Sequence, residues 1–112
     1  MTLPFPHKAL WPNGRPHWAQ RHREFKKHKQ WAFHAALAAN LGEPPERVEW
    51  LVTFYPKTRH KIDADNASAS LKAYADGIAA AWKVNDQIFA APRIQFGEPE
   101  RNGRVVVSLD PA

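Results

Sequence analysis

The sequence predicts one α+β domain, α/β-like in character, in which two main helices accompany a small mixed β-sheet in the order β-α-β-α-β-β. Three patterns carry this prediction. No residue from about Ala19 to Leu41 breaks a helix, Arg47 to Tyr55 alternates with the period of a strand, and Ala67 to about Trp82 carries a helical apolar stripe. A chain of 112 residues has room for one domain, so we assign residues 1–112 to a single unit.

The first half of the chain is predicted to form an extended arm, a loop and a long helix. Residues 3–6 are few and proline-rich, which suits an edge strand or an extended arm. Residues 11–16 are rich in turn formers, and the helix that follows is basic in its first half and alanine-rich in its second. Gly42 is the expected C-cap, because Pro44 and Pro45 forbid continuation of the helix.

The second half supplies most of the sheet. The strand over 47–55 places four apolar side chains on one face, namely Val48, Trp50, Val52 and Phe54. Residues 87–96 are predicted to form a strand that is interrupted at Pro92. Asn102-Gly103 predicts a type I′ hairpin that leads into a final strand over 105–109. We expect the two helices to pack mainly on one face of this sheet.

Composition excludes several classes of protein. No apolar run reaches the about 18 residues that span a bilayer. The N-terminal residues lack the basic start and long apolar segment of a secretory signal. The sequence contains no cysteine, which excludes disulfides and Cys-ligated metal sites. We therefore expect a cytoplasmic protein that needs neither a membrane nor an organic cofactor.

Charge divides the chain into two unequal halves. Residues 1–62 contain 11 Lys and Arg against 4 Glu, a net charge of +7, together with all six histidines. Residues 63–112 contain 5 Lys and Arg against 7 acids, a net charge of −2, and hold every aspartate. A basic surface that holds phosphates and an acidic cluster that holds cations suit an enzyme acting on nucleic acid. A basic solvated face without any ligand would have the same total charge.

Three aspartates are the candidate metal ligands. In an extended segment, side chains two apart point the same way, so Asp63 and Asp65 could reach one cation. Asp86 follows the intervening helix and could join them only through a loop reversal or from a symmetry mate. Carboxylates with open positions suit Mg²⁺, or else Mn²⁺, which could bind a scissile phosphate, activate water and stabilise the leaving 3′ oxygen. The alternative is that Asp-x-Asp-Asn only caps the following helix. An EF-hand is a poor match, because Ala67 and Ser68 stand where a ligand and a glycine are needed.

Lys72 and Asp76 are four residues apart and share a helix face. They suit a structural ion pair or, in the functional interpretation, a lysine placed over a phosphate to stabilise charge in the transition state. The histidines offer no compact pair, since His22 and His28 are six residues apart, so no zinc site is expected. We expect the histidines to add hydrogen bonds or partial charge to a nucleic-acid-facing surface.

Two blocks of sequence resemble the RusA-type Holliday junction resolvases, most closely their phage-derived branch. Residues 63–86 begin DADN, continue ASASLKAYADGI and end VND, and are similar to that family's core motif. Residues 3–6 read LPFP and residues 12–18 read PNGRPHW, which is similar to the N-terminal segment of the same branch. The resemblance covers nearly the whole chain, and two ordered blocks are more specific than the aspartates alone.

This resemblance implies a Mg²⁺-dependent homodimer that resolves four-way DNA junctions by paired, symmetric nicks. It identifies Asp63, Asp65 and Asp86 with the metal-binding aspartates and Lys72 with a catalytically important lysine. Two positions depart from the family: the residue before Asp86 is often acidic and is Asn85 here, and in some members the lysine lies two residues nearer the DADN block.

Basic residues in the loops and in the first helix are the expected contacts to DNA phosphates, which position a substrate without reading its sequence. They are Arg15, Arg21, Arg23, Lys26, Lys27, Lys29, Lys57, Arg59 and Lys61. Trp11 or Trp18 is a candidate for stacking on unpaired bases at the junction centre. A C2 dimer would present two identical sites to a two-fold-symmetric junction.

Two further functions remain open from the sequence. A non-catalytic protein that binds branched DNA would keep the fold without the activity, and Asn85 is the feature that favours it. A nuclease specific for RNA or for flaps would use the same metal chemistry on another substrate.

Overall fold

The computed structural model describes residues 1–12, 17–59 and 62–111 of the chain. Its helices and strands, in chain order, are β1 (Thr2–Leu3), α1 (Trp18–Ala39), β2 (Val48–Tyr55), α2 (Ala64–Ala69), α3 (Lys72–Trp82), β3 (Arg93–Phe96) and β4 (Arg104–Pro111). The strands form one four-stranded sheet in the order β1-β4-β2-β3, and α1 and α3 are the two main helices. The predicted α+β class and mixed sheet are therefore confirmed.

β2 is the central strand of the fold. It pairs antiparallel with β4 on one side and parallel with β3 on the other. The four apolar side chains predicted to share one face of β2 are all buried. Buried residues of both main helices join them in one hydrophobic cluster, among them Ala32, Ala36, Tyr74 and Ile78. The two main helices therefore pack on one face of the sheet, as expected.

α1 is capped by a polar side chain at its start and by a left-handed residue at its end. The ring of His17 accepts a hydrogen bond from the backbone N–H of Ala19, and Asn40 ends the helix with a φ of 50°. The predicted C-cap, Gly42, lies two residues beyond the observed one, because asparagine also tolerates the left-handed conformation. Within the described ranges no helix is long and apolar enough to cross a membrane.

The second predicted helix is divided into α2 and α3. It begins at residue 64 instead of residue 67, because Asp63 caps it. The hydroxyl of Ser70 donates to the backbone oxygen of Ala67 (2.7 Å), and Leu71 adopts φ −92° and ψ 0°. These local bonds interrupt the helix between residues 69 and 72, since serine competes with the backbone for hydrogen bonds.

The strand predicted over residues 87–96 is shorter than expected. Asp86–Ile88 forms a turn of 3₁₀ helix, Phe89 makes only an isolated bridge to Val48, and β3 begins at Arg93 after the proline. β3 runs parallel to β2 because α2 and α3 carry the chain back across the sheet before β3 begins.

The type I′ hairpin predicted at Asn102-Gly103 is wrong. β2 lies between β3 and β4, so these two consecutive strands are not neighbours. The backbone N–H of Gly103 instead donates to the oxygen of Glu100 (3.0 Å), and Gly103 alone in this turn has a positive φ, of 65°. The turn lets the chain pass from one side of β2 to the other, a long-range requirement that the local dipeptide does not encode.

Candidate active site

Asp63 is the N-cap of α2. Its Oδ1 accepts hydrogen bonds from the backbone N–H groups of Asp65 (2.8 Å) and Asn66 (3.3 Å). The capping interpretation of the DADN block is therefore confirmed. The expected extended geometry is wrong, because Asp65 lies in the first turn of the helix, where residues two apart do not face each other. Both carboxylates are exposed, as ligands for a cation from solvent must be.

A loop reversal within the chain returns Asp86 to the start of α3. Lys83 ends α3 in the left-handed conformation (φ 60°), and the side chain of Asn85 then accepts from the backbone N–H of Gln87 (2.8 Å). The Asp86 carboxylate contacts Nζ of Lys72 in the same chain. The loop reversal therefore brings Asp86 to Lys72, and the described contacts of Asp86 include neither Asp63 nor Asp65.

Lys72 is shared between two carboxylates. Its Nζ donates to Oδ1 of Asp76 at 2.9 Å, which confirms the predicted ion pair along the helix, and also to Asp86. The hydrogen bond to Asp86, followed by the one to Asp76, raises the pKa of Lys72. In return, the hydrogen bond from Lys72 is the largest cause that lowers the pKa of Asp86. Lys72 therefore stays protonated, and its side chain remains 60% exposed to solvent.

α2 contributes to two clefts. Lys72 and Asp86 line the smaller one, of about 300 Å³, together with Ser68 and Ala69 of α2. Asp65 lies three residues before Ser68 and four residues before Ala69, so it shares a helix face with both. Asp63 instead lines the larger cleft, of about 1040 Å³.

The three aspartates do not form a closed set of metal ligands in this arrangement. Carboxylate oxygens are the donors that Mg²⁺ prefers. Among residues 1–12, 17–59 and 62–111, however, no three His, Asp or Glu side chains lie close enough together to hold a metal ion. Asp86 already has Lys72 as its cationic partner. A cation shared by all three aspartates would require their side chains to move and Asp86 to release Lys72.

The predicted DNA-contacting residues are exposed wherever they are described. Five of them lie on α1, namely Arg21, Arg23, Lys26, Lys27 and Lys29, and all five are exposed. At about 100° per residue they wind around the helix instead of forming one stripe. Lys57 and Arg59 follow β2, and Arg59 pairs with Glu98 (2.7 Å). Arg15 and Lys61 lie outside the described residues.

His28 is a buried residue that the sequence interpretation assigned to the nucleic-acid-facing surface, and this assignment is wrong. Only 1% of it is exposed. Its Nε2 accepts from the backbone N–H of His7 (3.2 Å), so Nδ1 carries the proton and donates to the backbone oxygen of Glu24 (2.7 Å). Its i, i+4 and i+8 spacing with the buried Ala32 and Ala36 was the signal that could have identified it as a core residue.

The two tryptophans proposed for base stacking have different environments. The indole N–H of Trp11 donates to the backbone oxygen of Pro6 (3.1 Å), and its ring packs against Phe5 and Phe54. Trp11 is therefore held in place by packing. Trp18, at the start of α1, is 76% exposed.

Comparison with known proteins gives one informative match. No family model matches the chain. A protein of Xylella fastidiosa (strain Temecula1 / ATCC 700964), described as an uncharacterized protein, is 37% identical over 113 residues, which cover 97% of this chain and 74% of that protein. Identity at this level over most of both chains is evidence of common descent and a shared fold. The chain therefore belongs to the same family as this Xylella fastidiosa protein.

Proposed function

We propose that the chain is a Mg²⁺-dependent, structure-specific DNA endonuclease of the RusA type, which resolves four-way junctions as a cytoplasmic homodimer. The observation that carries the proposal is the contact between Lys72 and Asp86, with Asp76 beside them. These residues are separated by up to 14 positions in the resolvase-like motif. Residues that are far apart in the motif are therefore close together in the structure, which a chance match of spacing would not require.

The aspartates and Lys72 have complementary roles in this proposal. Asp63, Asp65 and Asp86 would hold Mg²⁺, with Mn²⁺ as a substitute, and the bound cation would supply Lewis-acid stabilisation of the phosphate. Lys72 and a cation are alternative partners for Asp86. If Asp86 releases Lys72, Asp76 still holds the ammonium group. The N–H that Asp86 had accepted is then available for a hydrogen bond to a phosphate oxygen.

The exposed cations of α1 and of the loop after β2 would hold the DNA backbone. Contacts of this kind fix position and orientation and carry no sequence information. In the homodimer, two copies of the site would nick the junction at symmetric positions.

A non-catalytic protein that binds branched DNA is the second candidate function. One observation favours it: Asn85 uses its side chain to cap a 3₁₀ turn, by accepting from the backbone N–H of Gln87. In this candidate, the Lys72 ammonium would take the place of a metal cation permanently, and the site would be structural.

Cleavage of a labelled four-way junction, with and without Mg²⁺, separates the two candidates. The endonuclease proposal expects symmetric nicks that require Mg²⁺, and loss of nicking in Asp65→Asn. Junction binding should survive or become stronger in this variant, because a carboxylate without metal repels phosphate. Asp110→Asn, at an exposed position in β4 opposite Glu49, is the matched control and should cut normally.

Normal cutting by Asp65→Asn would contradict the site assignment. Binding without any cutting by the unmodified protein would favour the non-catalytic candidate. Preference for RNA or flap substrates in competition with the junction would favour the third function that the sequence leaves open.

A further inference from the structure

The larger cleft has an apolar, largely aromatic wall. It lies between the N-terminal arm, the middle of α1 and the loop after β2, and has a volume of about 1040 Å³. This is slightly above the usual range of small-molecule pockets, about 300–1,000 Å³. Phe5, Trp11 and Trp31 contribute rings to it, and prolines of the arm and of the loop complete the apolar surface.

Trp31 is the ring in this cleft best prepared to receive another aromatic group. It is 38% exposed and its ring contacts are with His28 and the ammonium group of Lys27, whereas Trp11 packs against Phe5 and Phe54. The His28 ring supports Trp31 from inside, with centroids 4.7 Å apart, and His28 is itself fixed by two hydrogen bonds. A ring supported in this way loses little conformational freedom when a ligand stacks on it.

Among the described residues that line the cleft, three lysines outnumber two carboxylates, those of Glu24 and Asp63, which favours an anionic ligand. Two of the lysines, Lys8 and Lys57, form no ion pair with any carboxylate in the described parts of the chain. The third, Lys27, pairs with Glu24 (3.1 Å) and lies 5.3 Å from the centroid of the Trp31 ring. Asp63, a candidate metal ligand, lines the same cleft.

We propose that this cleft binds one unpaired DNA strand, with a base stacked on Trp31 and the phosphates directed to Lys8 and Lys57. The inference rests on the proposed function, because it takes DNA as the substrate and leads the strand to Asp63. An aromatic face inside a cleft can stack only on a base that has left its own stack, and branch points provide such bases. Lysines that contact only phosphates bind the backbone of any strand, whatever its base sequence.

Binding of a labelled 20-nucleotide oligothymidylate, measured by fluorescence anisotropy without Mg²⁺, tests the cleft separately from catalysis. Trp31→Ala should weaken binding by roughly ten- to a hundred-fold, the range expected for loss of one stacked base. Trp31→Phe keeps a stacking surface and should retain most of the affinity. Leu37→Ala removes an exposed apolar side chain from the same helix, outside the cleft, and should bind nearly as the unmodified protein does.

Several outcomes of this measurement would overturn the inference. They are unchanged binding by Trp31→Ala, an equal loss in Leu37→Ala, binding of a duplex as tight as that of the single strand, and stronger competition by oligouridylate than by oligothymidylate. Circular dichroism of Trp31→Ala reports whether the variant is folded. If it is not, Trp31→Phe and the crosslinking experiment below still decide.

Ultraviolet crosslinking of an oligonucleotide that contains 5-bromodeoxyuridine locates the stacked base in the unmodified protein. Trypsin releases residues 30–47 as one peptide, in which Trp31 is the one tryptophan. We expect the crosslink in this peptide. A crosslink elsewhere, or none, would contradict the inference.

Failure of the cleft and failure of the endonuclease are distinguishable. If the unmodified protein cuts junctions in Mg²⁺ but Trp31→Ala binds the single strand normally, the cleft assignment fails alone. If Trp31→Ala loses single-strand binding selectively while no variant cuts a junction, the cleft stands and the endonuclease proposal fails.

Discussion

His28 is held neutral inside the protein by its surroundings. It is enclosed by the rings of Trp31 and Tyr74, and each of its two nitrogens has one backbone partner. Burial is the main cause that lowers its pKa from 6.5. Protonation would put a charge in an apolar site and would replace the acceptor that the N–H of His7 uses.

We expect the stability of the protein to fall as the pH drops below about 6.5. The unfolded chain binds a proton at the ordinary pKa of His28, whereas the folded chain binds it only at a lower pH, so acid favours unfolding in this window. Urea unfolding at several pH values measures the effect. His28→Gln should be less stable by about 1–3 kcal/mol and should lose this pH step, whereas His34→Gln, at an exposed position on α1, should keep it. The same pH step in His28→Gln would contradict the assignment.

At the scale of elements, the contact between α1 and α3 depends on Gly77. A Cβ atom at this position would lie 2.3 Å from the backbone oxygen of Lys29 and 2.8 Å from Cβ of Ala32. The helices therefore approach more closely than any side chain at residue 77 would allow. Each residue of the DGI part of the resolvase-like motif thus has a structural role. Asp76 pairs with Lys72, Gly77 permits the close helix crossing, and Ile78 is buried in the core.

Gly77→Ala is expected to lower the free energy of unfolding by roughly 1–3 kcal/mol, the usual cost of overpacking. In an uncrowded helix the same change would raise stability by about 1 kcal/mol. Chemical denaturation gives the sign of the change in the free energy of unfolding, which reports whether α1 and α3 cross as closely as the structure shows. An increase in stability would mean that they do not.

At the scale of the whole molecule, α2 lies within the resolvase-like motif and contributes residues to both clefts. One cleft contains Lys72 and Asp86, and the other contains Trp31, the lysines and Asp63. The net charge of +5 is concentrated in the part of the chain that builds α1 and the larger cleft. A strand held in the larger cleft would thus reach Asp63, one of the three candidate metal ligands, from the basic side of the protein.

Single-strand affinity should fall steeply with salt, and each phosphate contact should add about 0.7 to the slope of log K against log salt concentration. Lys57→Ala should reduce that slope by about 0.7, the contribution of one phosphate contact, and should weaken binding equally for all sequences. Arg93→Ala removes an exposed cation of β3 outside both clefts and should leave the slope unchanged. Titrations between low and moderate salt measure both slopes. An unchanged slope in Lys57→Ala would remove this lysine from the strand path.

Interactions between residues close in sequence were predictable from spacing alone. The alternation of β2, the uninterrupted run that forms α1, the cap at Asp63 and the Lys72–Asp76 pair all involve residues within one or two turns of each other. Hydrogen-bond geometry and side-chain periodicity leave a signature of such features in the local sequence. The resemblance to the resolvases depends on the same kind of local pattern.

Only the tertiary structure determined the features that join distant parts of the chain. The position of β2 between β3 and β4 removed the predicted hairpin, because neighbours in sequence need not be neighbours in a sheet. Asp86 reaches Lys72 because the chain reverses after α3, and His28 is buried because the N-terminal arm packs over α1. By itself, the sequence determined which residues carry the candidate chemistry. Their grouping into two clefts was decided by long-range packing, whose free energy depends on the whole core and not on any short pattern of residues.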